Sequence, residues 1–558
     1  MCGIQLLVRQ SACAADASTE KRWADLTLAN SRRGPDAHNE LTITLRFFTL
    51  RIGAHVLHLR GAHPQPQPLV SAQTGDILCW NGEVFSGLPV GNSNDGLMLF
   101  HELQRVKKLH PKDFILRVFS RIEGPYAFVY VDRESETVWF ARDVLGRRSL
   151  LIKRQQGLWL ASVTQAGEAW AEVAAQRIFQ LDLAAAPQAD EVGELPLLLV
   201  EHEWRYADSA GESPLVLPFG RVTDTHGAGT SSPGAPSAGL PELDAAWLPF
   251  VDGLQAALSA ALLQRTDSVP HHGASGTPRI GILFSGGIDC ITLAALLAQQ
   301  LPVSEPIELF NVAFENPRQL KHAATTLSQP KYNVPDRKTG IQGWIELRRL
   351  YPDREWRFVE VDVPYAQVLM HREHIRGLLC PADTVMDMSI GMAIWFASRG
   401  IGRIKHDAQN GEGAEYTGQA RVLILGMGAD EQLGGYSRHR VAWDRRHQWA
   451  DLGAEIRLDV ERISCRNLGR DDRMVSDHAR EARYPFLAAE VVAFLANVPL
   501  NRKMDMRYPR GIGEKILLRL LAQRIGLVNA CMLPKRAIQF GARTAKMETS
   551  QSKGQDTL

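Results

Sequence analysis

Two carboxylates in the second half of the chain each follow a glycine-rich turn: Asp289 in "ILFSGGIDC" and Asp430 in "LILGMGADEQLGGY". The first stretch runs from an apolar strand pattern through Gly286 and Gly287 into a helical pattern. Glycines let the backbone approach a ligand closely, and a helix start offers free N–H groups with partial positive charge, so an anion belongs there, most naturally a phosphate. The glycine pair alone fits a plain strand-to-helix turn equally well. Asp289 adds to it, because a carboxylate beside a phosphate repels it unless a divalent cation joins them, and Mg²⁺ is the usual bridge. Asp289 and Asp430 are therefore candidate joint ligands of a magnesium–nucleotide. Glu431 reads equally as a solvated loop acid and as a participant.

A second chemistry-bearing residue stands at the other end, in "MCGI". Removal of Met1 would place a thiol and a free α-amine on Cys2, and an α-amine of pKa about 7.7–8.0 can serve as the thiol's general base. Gly3 permits both that removal and tight packing of the new terminus. On its own, Cys2 reads as an ordinary cysteine after the start; the blocks that follow it decide the matter.

The elements that must position these groups differ between the two halves. "LTITLRFFTL", "AHVLHLR", "ILCWNGEVF", "YAFVYVD", "TVWFARD" and "GLWLAS" are short β-rich runs separated by turn residues, which predicts antiparallel sheets packed face to face. A Gly/Ser/Pro-rich tract, "THGAGTSSPGAPSAGLPE" (225–242), reads as a flexible linker. From Trp247 the spacing becomes helical, and buried-strand candidates at 279–284, 307–314, 356–363 and 421–426 alternate with helices. That alternation predicts a parallel α/β sheet, whose ligand loops lie at the carboxyl ends of its strands. The region from Ser437 to Ala545 reads as helical. Segments 265–278 and 403–420 read as surface loops, and the polar tail after Lys546 as disordered. The expected domains are residues 2–184, a Gly/Ser/Pro-rich linker over 207–243, a second domain over 245–545, and the tail 546–558.

Bulk properties exclude some classes. At 558 residues the chain exceeds one core and should divide into domains. Lys+Arg 63 against Asp+Glu 62 leaves no field pointing to nucleic acid or an anionic membrane. No run reaches the roughly 18 apolar residues that span a bilayer, and no secretory signal pattern opens the chain. The seven cysteines (Cys2, Cys13, Cys79, Cys290, Cys380, Cys465, Cys531) are scattered and lack metal-site spacing, which predicts reduced thiols in the cytoplasm and no structural zinc.

These motifs carry a resemblance. "SGGIDC" resembles the SGGxDS loop of ATP pyrophosphatases, and "GMGADEQLGGY" the second signature of the asparagine synthetase family. "GRDDR" (469–473), "EARYPFL" (481–487), "GEKILLR" (513–519) and "LPKRAIQFG" (533–541) resemble its later blocks in order. In the first half, "RRGPD" (32–36), "WNGEVF" (80–85), "SNDG" (93–96), "EGPYAFVYVD" (123–132) and "ARDVLGRRSLL" (141–151) resemble the class II glutamine amidotransferase domain. The combined order is similar to glutamine-dependent asparagine synthetase. The resemblance implies an α+β N-terminal-nucleophile sandwich followed by an α/β parallel-sheet ATP pyrophosphatase domain with a helical C-terminal part. It also implies L-glutamine, L-aspartate and ATP as substrates, Mg²⁺ as cofactor, and no nucleic acid or membrane partner; a homodimer stays open.

Residue by residue, the resemblance makes Cys2 the glutaminase nucleophile, Asn81 and Gly82 the oxyanion donors, and Asp95 the holder of the glutamine α-amino group. It gives pyrophosphate and metal to Ser285, Gly286, Gly287 and Asp289, the nucleotide pocket to Leu283, Val312 and Gly426, and metal to Asp430. Lys515 would neutralise the leaving pyrophosphate; its bland alternative is a surface lysine on an amphipathic helix. Departures from the pattern stand at five places. Cys290 replaces a hydroxyl, Met427 a glutamate, Leu425 a serine, Leu57 an arginine that grips the glutamine carboxylate, and Ser162–Val163 a Ser–Glu pair. Arg60 lies three residues beyond Leu57, which on a continuing strand would put it on the opposite face. Two other readings stand beside amidation of aspartate: a nucleotide-binding scaffold or regulator that lost one or both reactions, and adenylation of a different acid.

Overall fold

The computed structural model describes all residues except 1, 13–15, 165–168, 186–197, 210, 212, 224, 226–238, 272–275, 317–330, 407–412, 548–554 and 558. Part of the expected linker, most of the expected tail, and Cys13 therefore lie outside the described residues. The chain forms two compact units. One comprises Met1–Leu217 with Glu373–Asp383 and Ser464–Glu481, and the other Pro218–Arg372 with Thr384–Ile463 and Ala482–Leu558.

The first unit holds two six-stranded antiparallel sheets. One contains the strand Gly3–Gln10 between Phe48–Val56 and Leu158–Ala161; the other places Ile77–Gly82 between Leu69–Val70 and Tyr126–Asp132, with Thr137–Arg142 on the far side of Tyr126–Asp132. Period-two alternation explains the packing: Ile4, Leu6 and Val8 enter a core shared with Ile77, Cys79, Val129 and Phe140, while Leu7 faces the other way onto Trp23 and Leu26. Those two belong to the helix Ala17–Arg33, capped by Asp16, whose carboxylate accepts from Thr19 N at 2.8 Å.

The helix Leu468–Ser476 also belongs to this unit, although it lies far along the chain. All nine of its residues are buried, and its charges are answered there. Arg473 donates to Ser149 Oγ at 2.7 Å and to Glu172 at 2.9 Å. Asp472 takes Arg33 at 2.8 Å and the Ser149 N–H at 3.1 Å. Unpaired, such buried ions would cost several kcal/mol each, and this pairing fixes the helix in the first unit.

The second unit carries a seven-stranded sheet whose central strands, Trp356–Val363, Ile307–Phe314, Ile280–Leu283 and Val422–Ile424, are parallel. Ile307–Phe314 is buried at every position, as expected for a central parallel strand covered on both faces, and its two polar residues, Glu308 and Asn311, are hydrogen-bonded there. The segment expected as a loop over 403–420 is corrected: Ile401–Lys405 and Glu415–Thr417 add antiparallel strands at one edge, anchored by Glu308, which accepts from Tyr416 Oη at 2.5 Å and Gln419 N at 2.8 Å. The helical reading beyond Ser437 is corrected at Glu481–Arg483, a short strand at the other edge. The tail also departs from expectation where it is described, since Thr557 bridges Thr384 and Val385 N donates to Asp556 O at 2.9 Å. No helix among the described residues is long and apolar enough to cross a membrane.

Candidate active sites

In the first unit, Cys2 sits buried at the head of the strand Gly3–Gln10. Its N–H donates to Asn81 Oδ1 at 3.0 Å, and its carbonyl accepts from Arg33 Nε at 3.3 Å. Gly3 is dictated by packing, because a Cβ there would lie 2.4 Å from Asn30 Oδ1. Ser162 brackets the next residue, accepting from Ile4 N at 3.0 Å and donating its own N–H to Ile4 O at 2.9 Å.

Asn81 and Gly82 end the strand Ile77–Gly82, paired with Ala127 and Tyr126. While Asn81 Oδ1 holds Cys2, its Nδ2 is buried with no hydrogen-bond partner. A buried orphan donor costs about 1–3 kcal/mol and marks a place where an acceptor is awaited. Gly82 admits no side chain, since a Cβ would lie 2.6 Å from Pro125 O. Burial pushes the Cys2 thiol above its ordinary value, and the Leu57 backbone hydrogen bond draws it back.

Asp95 opens the helix Asp95–Leu109 and is 4% exposed; its Oδ2 accepts from Val84 N at 3.0 Å and Trp80 Nε1 at 3.2 Å. Burial raises its pKa, while Arg60 acts in the opposite sense. The strand-face expectation for Arg60 is corrected. The strand Phe48–Val56 stops before Leu57, so alternation no longer applies, and Arg60 reaches Val84 O at 2.7 Å and Glu83 at 3.6 Å. Gln67 carried no signal beyond its place in "QPQPL". It accepts from Trp80 N at 2.6 Å and points its amide at Cys2 Sγ, 4.0 Å away.

In the second unit, the turn after Ile280–Leu283 leads into the buried helix Ile288–Ala298. Gly286 has φ +75°, and a Cβ there would lie 2.2 Å from Thr339 O. Thr339, which the sequence reading missed, also donates its hydroxyl to Ser285 O at 2.7 Å. Ser285 Oγ in turn accepts from Gly287 N at 3.2 Å. The Cys290 thiol is turned inward onto Gly287 O at 3.2 Å, and burial pushes it up to about 11. Leu283 ends one parallel strand, Val312 lies within its neighbour Ile307–Phe314, and Gly426 follows Val422–Ile424; a Cβ on Gly426 would lie 2.9 Å from Asp289 Cβ.

Lys515 joins the two acids. Its Nζ lies 2.6 Å from both oxygens of Asp289 and 2.7 Å from Asp430 Oδ1. It is 0% exposed and sits at φ +58° ahead of the helix Ile516–Arg524, so the surface-lysine alternative is excluded. Burial alone would lower its pKa; Asp289 and Asp430 outweigh that and raise it. Burial raises Asp289, whereas Lys515 and Lys535 overcome burial at Asp430 and hold it down to about 2. Lys535, also missed from sequence, lies 3.4 Å from Asp430 and 4.6 Å from the Tyr436 ring centre.

Glu431 is not a solvated acid. It is buried, accepting from Gly428 N at 3.1 Å and Tyr436 Oη at 2.6 Å, and so closes the turn that presents Asp430. Met427 stands partly exposed in that turn, and Leu425 is buried with its N–H on Arg483 O. Among the described residues no three His, Cys, Asp or Glu side chains converge as a metal cage. Two carboxylates beside a phosphate cradle fit Mg²⁺ nonetheless, because that ion is commonly held by one or two carboxylates and completed by substrate phosphates.

Comparison with known proteins identifies relatives of both halves of the chain. The glutamine amidotransferase domain family matches residues 57–168, and the asparagine synthase family matches residues 444–552. Asparagine synthetase domain-containing protein 1 of Bos taurus is 36% identical, with all of this chain and 97% of that protein covered. Asparagine synthetase domain-containing protein CG17486 of Drosophila melanogaster is 31% identical over 94% of this chain and 95% of its own length. The glutamine-hydrolyzing asparagine synthetase of Gallus gallus is 22% identical over 98% and 85% respectively. The chain belongs to the asparagine synthetase family, in the branch of asparagine synthetase domain-containing protein 1.

Proposed function

We propose that the chain is a glutamine-dependent, ATP-driven amide ligase that converts aspartate to asparagine in the cytoplasm. The observation that carries this reading is Asn81, whose Oδ1 holds Cys2 N while its Nδ2 stays buried and unsatisfied. With Met1 removed, the Cys2 thiol passes its proton to its own α-amine and attacks the side-chain amide carbon of glutamine. The amide oxygen takes the negative charge and meets Asn81 Nδ2–H and the Gly82 N–H. The carbon–nitrogen bond then breaks, the nitrogen takes the proton and leaves as ammonia, and water cleaves the thioester to glutamate.

In the second unit the β-carboxylate of aspartate attacks the α-phosphorus of ATP, and pyrophosphate leaves. Ammonia then attacks the acyl carbon, a proton is lost, and AMP departs with the acyl–oxygen electron pair. Ser285, Gly286 and Gly287 cradle the phosphates, with Leu283, Val312 and Gly426 around the nucleoside. Lys515 and Lys535 supply two ammonium charges against the leaving pyrophosphate. Asp289 and Asp430 would hold Mg²⁺, whose chemistry there is neutralisation of phosphate charge. The test is a paired assay on the full chain with Cys2 at its N-terminus: glutamate from glutamine, and AMP plus pyrophosphate from ATP with aspartate. Absence of both products sinks the proposal.

A further inference from the structure

We propose that Arg60 is the specificity residue of the Cys2 pocket, the cation that holds the carboxylate of an incoming α-amino acid. This rests on the reading of Cys2 as an amide-cleaving nucleophile and says how that site recognises its substrate.

An α-amino acid head group is a zwitterion, with ammonium and carboxylate on one carbon, so its pocket must set an acid beside a cation. Asp95, 4% exposed, is a buried acid whose charge acts on the Cys2 thiol, as does that of Glu481; Glu83, 3% exposed, follows Gly82 in the chain and lies against Arg60. No guanidinium stands at Leu57, which is apolar, buried and offers Cys2 its backbone N–H. Arg60 supplies the cation instead. After the strand Phe48–Val56 ends, the turn to Gly61 (φ +86°) packs on Asn94, which caps the helix carrying Asp95. That path brings Arg60 to 3.6 Å from Glu83, and its charge acts on Asp95 against the effect of burial.

The guanidinium is pre-set. Nη1 donates to Val84 O at 2.7 Å and Nη2 to Gly91 O at 3.3 Å, while Nε is buried with no hydrogen-bond partner. A fixed, charged fork with an unanswered N–H is suited to accepting a carboxylate. The carboxylate then meets Arg60 and the ammonium meets Asp95 and Glu83.

The test uses two thiol reagents on the full chain with Cys2 first: 6-diazo-5-oxo-L-norleucine, which carries the α-amino acid head group, and iodoacetamide, which lacks it. Cys2 modification is followed by intact mass. Expected is saturable labelling of the wild type by the first reagent. Arg60→Met should raise its half-saturating concentration by about 10- to 100-fold, as loss of a charge-assisted hydrogen bond does. Arg60→Lys should recover part of this, and the iodoacetamide rate should stay unchanged in both variants. Equal saturation in wild type and Arg60→Met overturns the assignment of Arg60. A wild type that reacts with iodoacetamide but shows no saturable labelling by the glutamine analogue overturns the pocket reading itself. If Arg60→Met does not fold, the same comparison is made with Arg60→Lys, where an unchanged half-saturation counts against the proposal.

Discussion

Lys515 Nζ lies within 2.7 Å of carboxylate oxygens on both Asp289 and Asp430, so one buried ammonium ties together two strand-exit loops far apart in sequence. Lys515→Met should leave two partly buried acids short of a counter-charge, lowering stability at neutral pH by about 3 kcal/mol and abolishing ATP-dependent pyrophosphate release. Urea denaturation and a pyrophosphate assay check the two effects. Adding Asp289→Asn should restore much of the stability and none of the activity.

The two glycines of the cradle should respond differently to the same change. Gly286→Ala imposes φ +75° on a residue with a Cβ and drives that Cβ into Thr339 O, so it should cost about 2–4 kcal/mol in folding stability. At Gly287 a Cβ meets only Ser285 Oγ at 3.3 Å. Gly287→Ala should therefore keep the melting temperature and weaken nucleotide binding alone, as read by calorimetric titration.

Asn81→Ala removes a donor aimed at developing charge. Glutamate release should fall by about 10²- to 10³-fold in kcat with KM little changed. Iodoacetamide should still reach Cys2 in the variant; loss of that reactivity would mean the nucleophile itself has been displaced.

Asp336 sets a pH dependence. It opens the helix Pro335–Leu350 against Gly541, where a Cβ would lie 2.0 Å from its Oδ1, and burial raises its pKa from 3.8 to about 7. A carboxyl raised in the folded state gives its full stability below its unfolded pKa, and that contribution is lost as pH rises through the folded value. Asp336→Asn should therefore be more stable than wild type above pH about 7, by at most about 4 kcal/mol, and no different near pH about 4. Denaturation midpoints at both pH values decide it.

Met427 occupies a partly exposed turn next to Asp430 and carries no group that can move a proton. Met427→Glu should raise asparagine formation by about tenfold or more with pyrophosphate release little changed. Unchanged amide formation would place the limiting step elsewhere.

The parallel strands were legible because short runs rich in apolar and β-branched residues alternate with helical segments: 307–314 and 356–363 match the structure residue for residue. The antiparallel strands were legible as short β-rich runs between turn residues, Asp289 and Asp430 by the glycines beside them, and Asn81 only through the resemblance of its block. The partners of those groups were not. Lys535, Gln67 and Thr339 reach their sites through tertiary folding, and no local period marks such residues. Arg60 was misjudged by extending a strand past its end at Val56, and Glu431 by treating an acid next to glycines as solvated.

The helix Leu468–Ser476 gives the chain an order of assembly. Cys2 O is held by Arg33, and Arg33 is held by Asp472 and by Ser476 Oγ at 2.5 Å. A ribosome must have made most of the polypeptide before that clasp can close, so the nucleophile's final setting comes late in synthesis although its residue emerges first. Cutting the gene at the linker would yield a first fragment without its own last wedge, and lesions near Asp472 would surface as defects in glutamine cleavage.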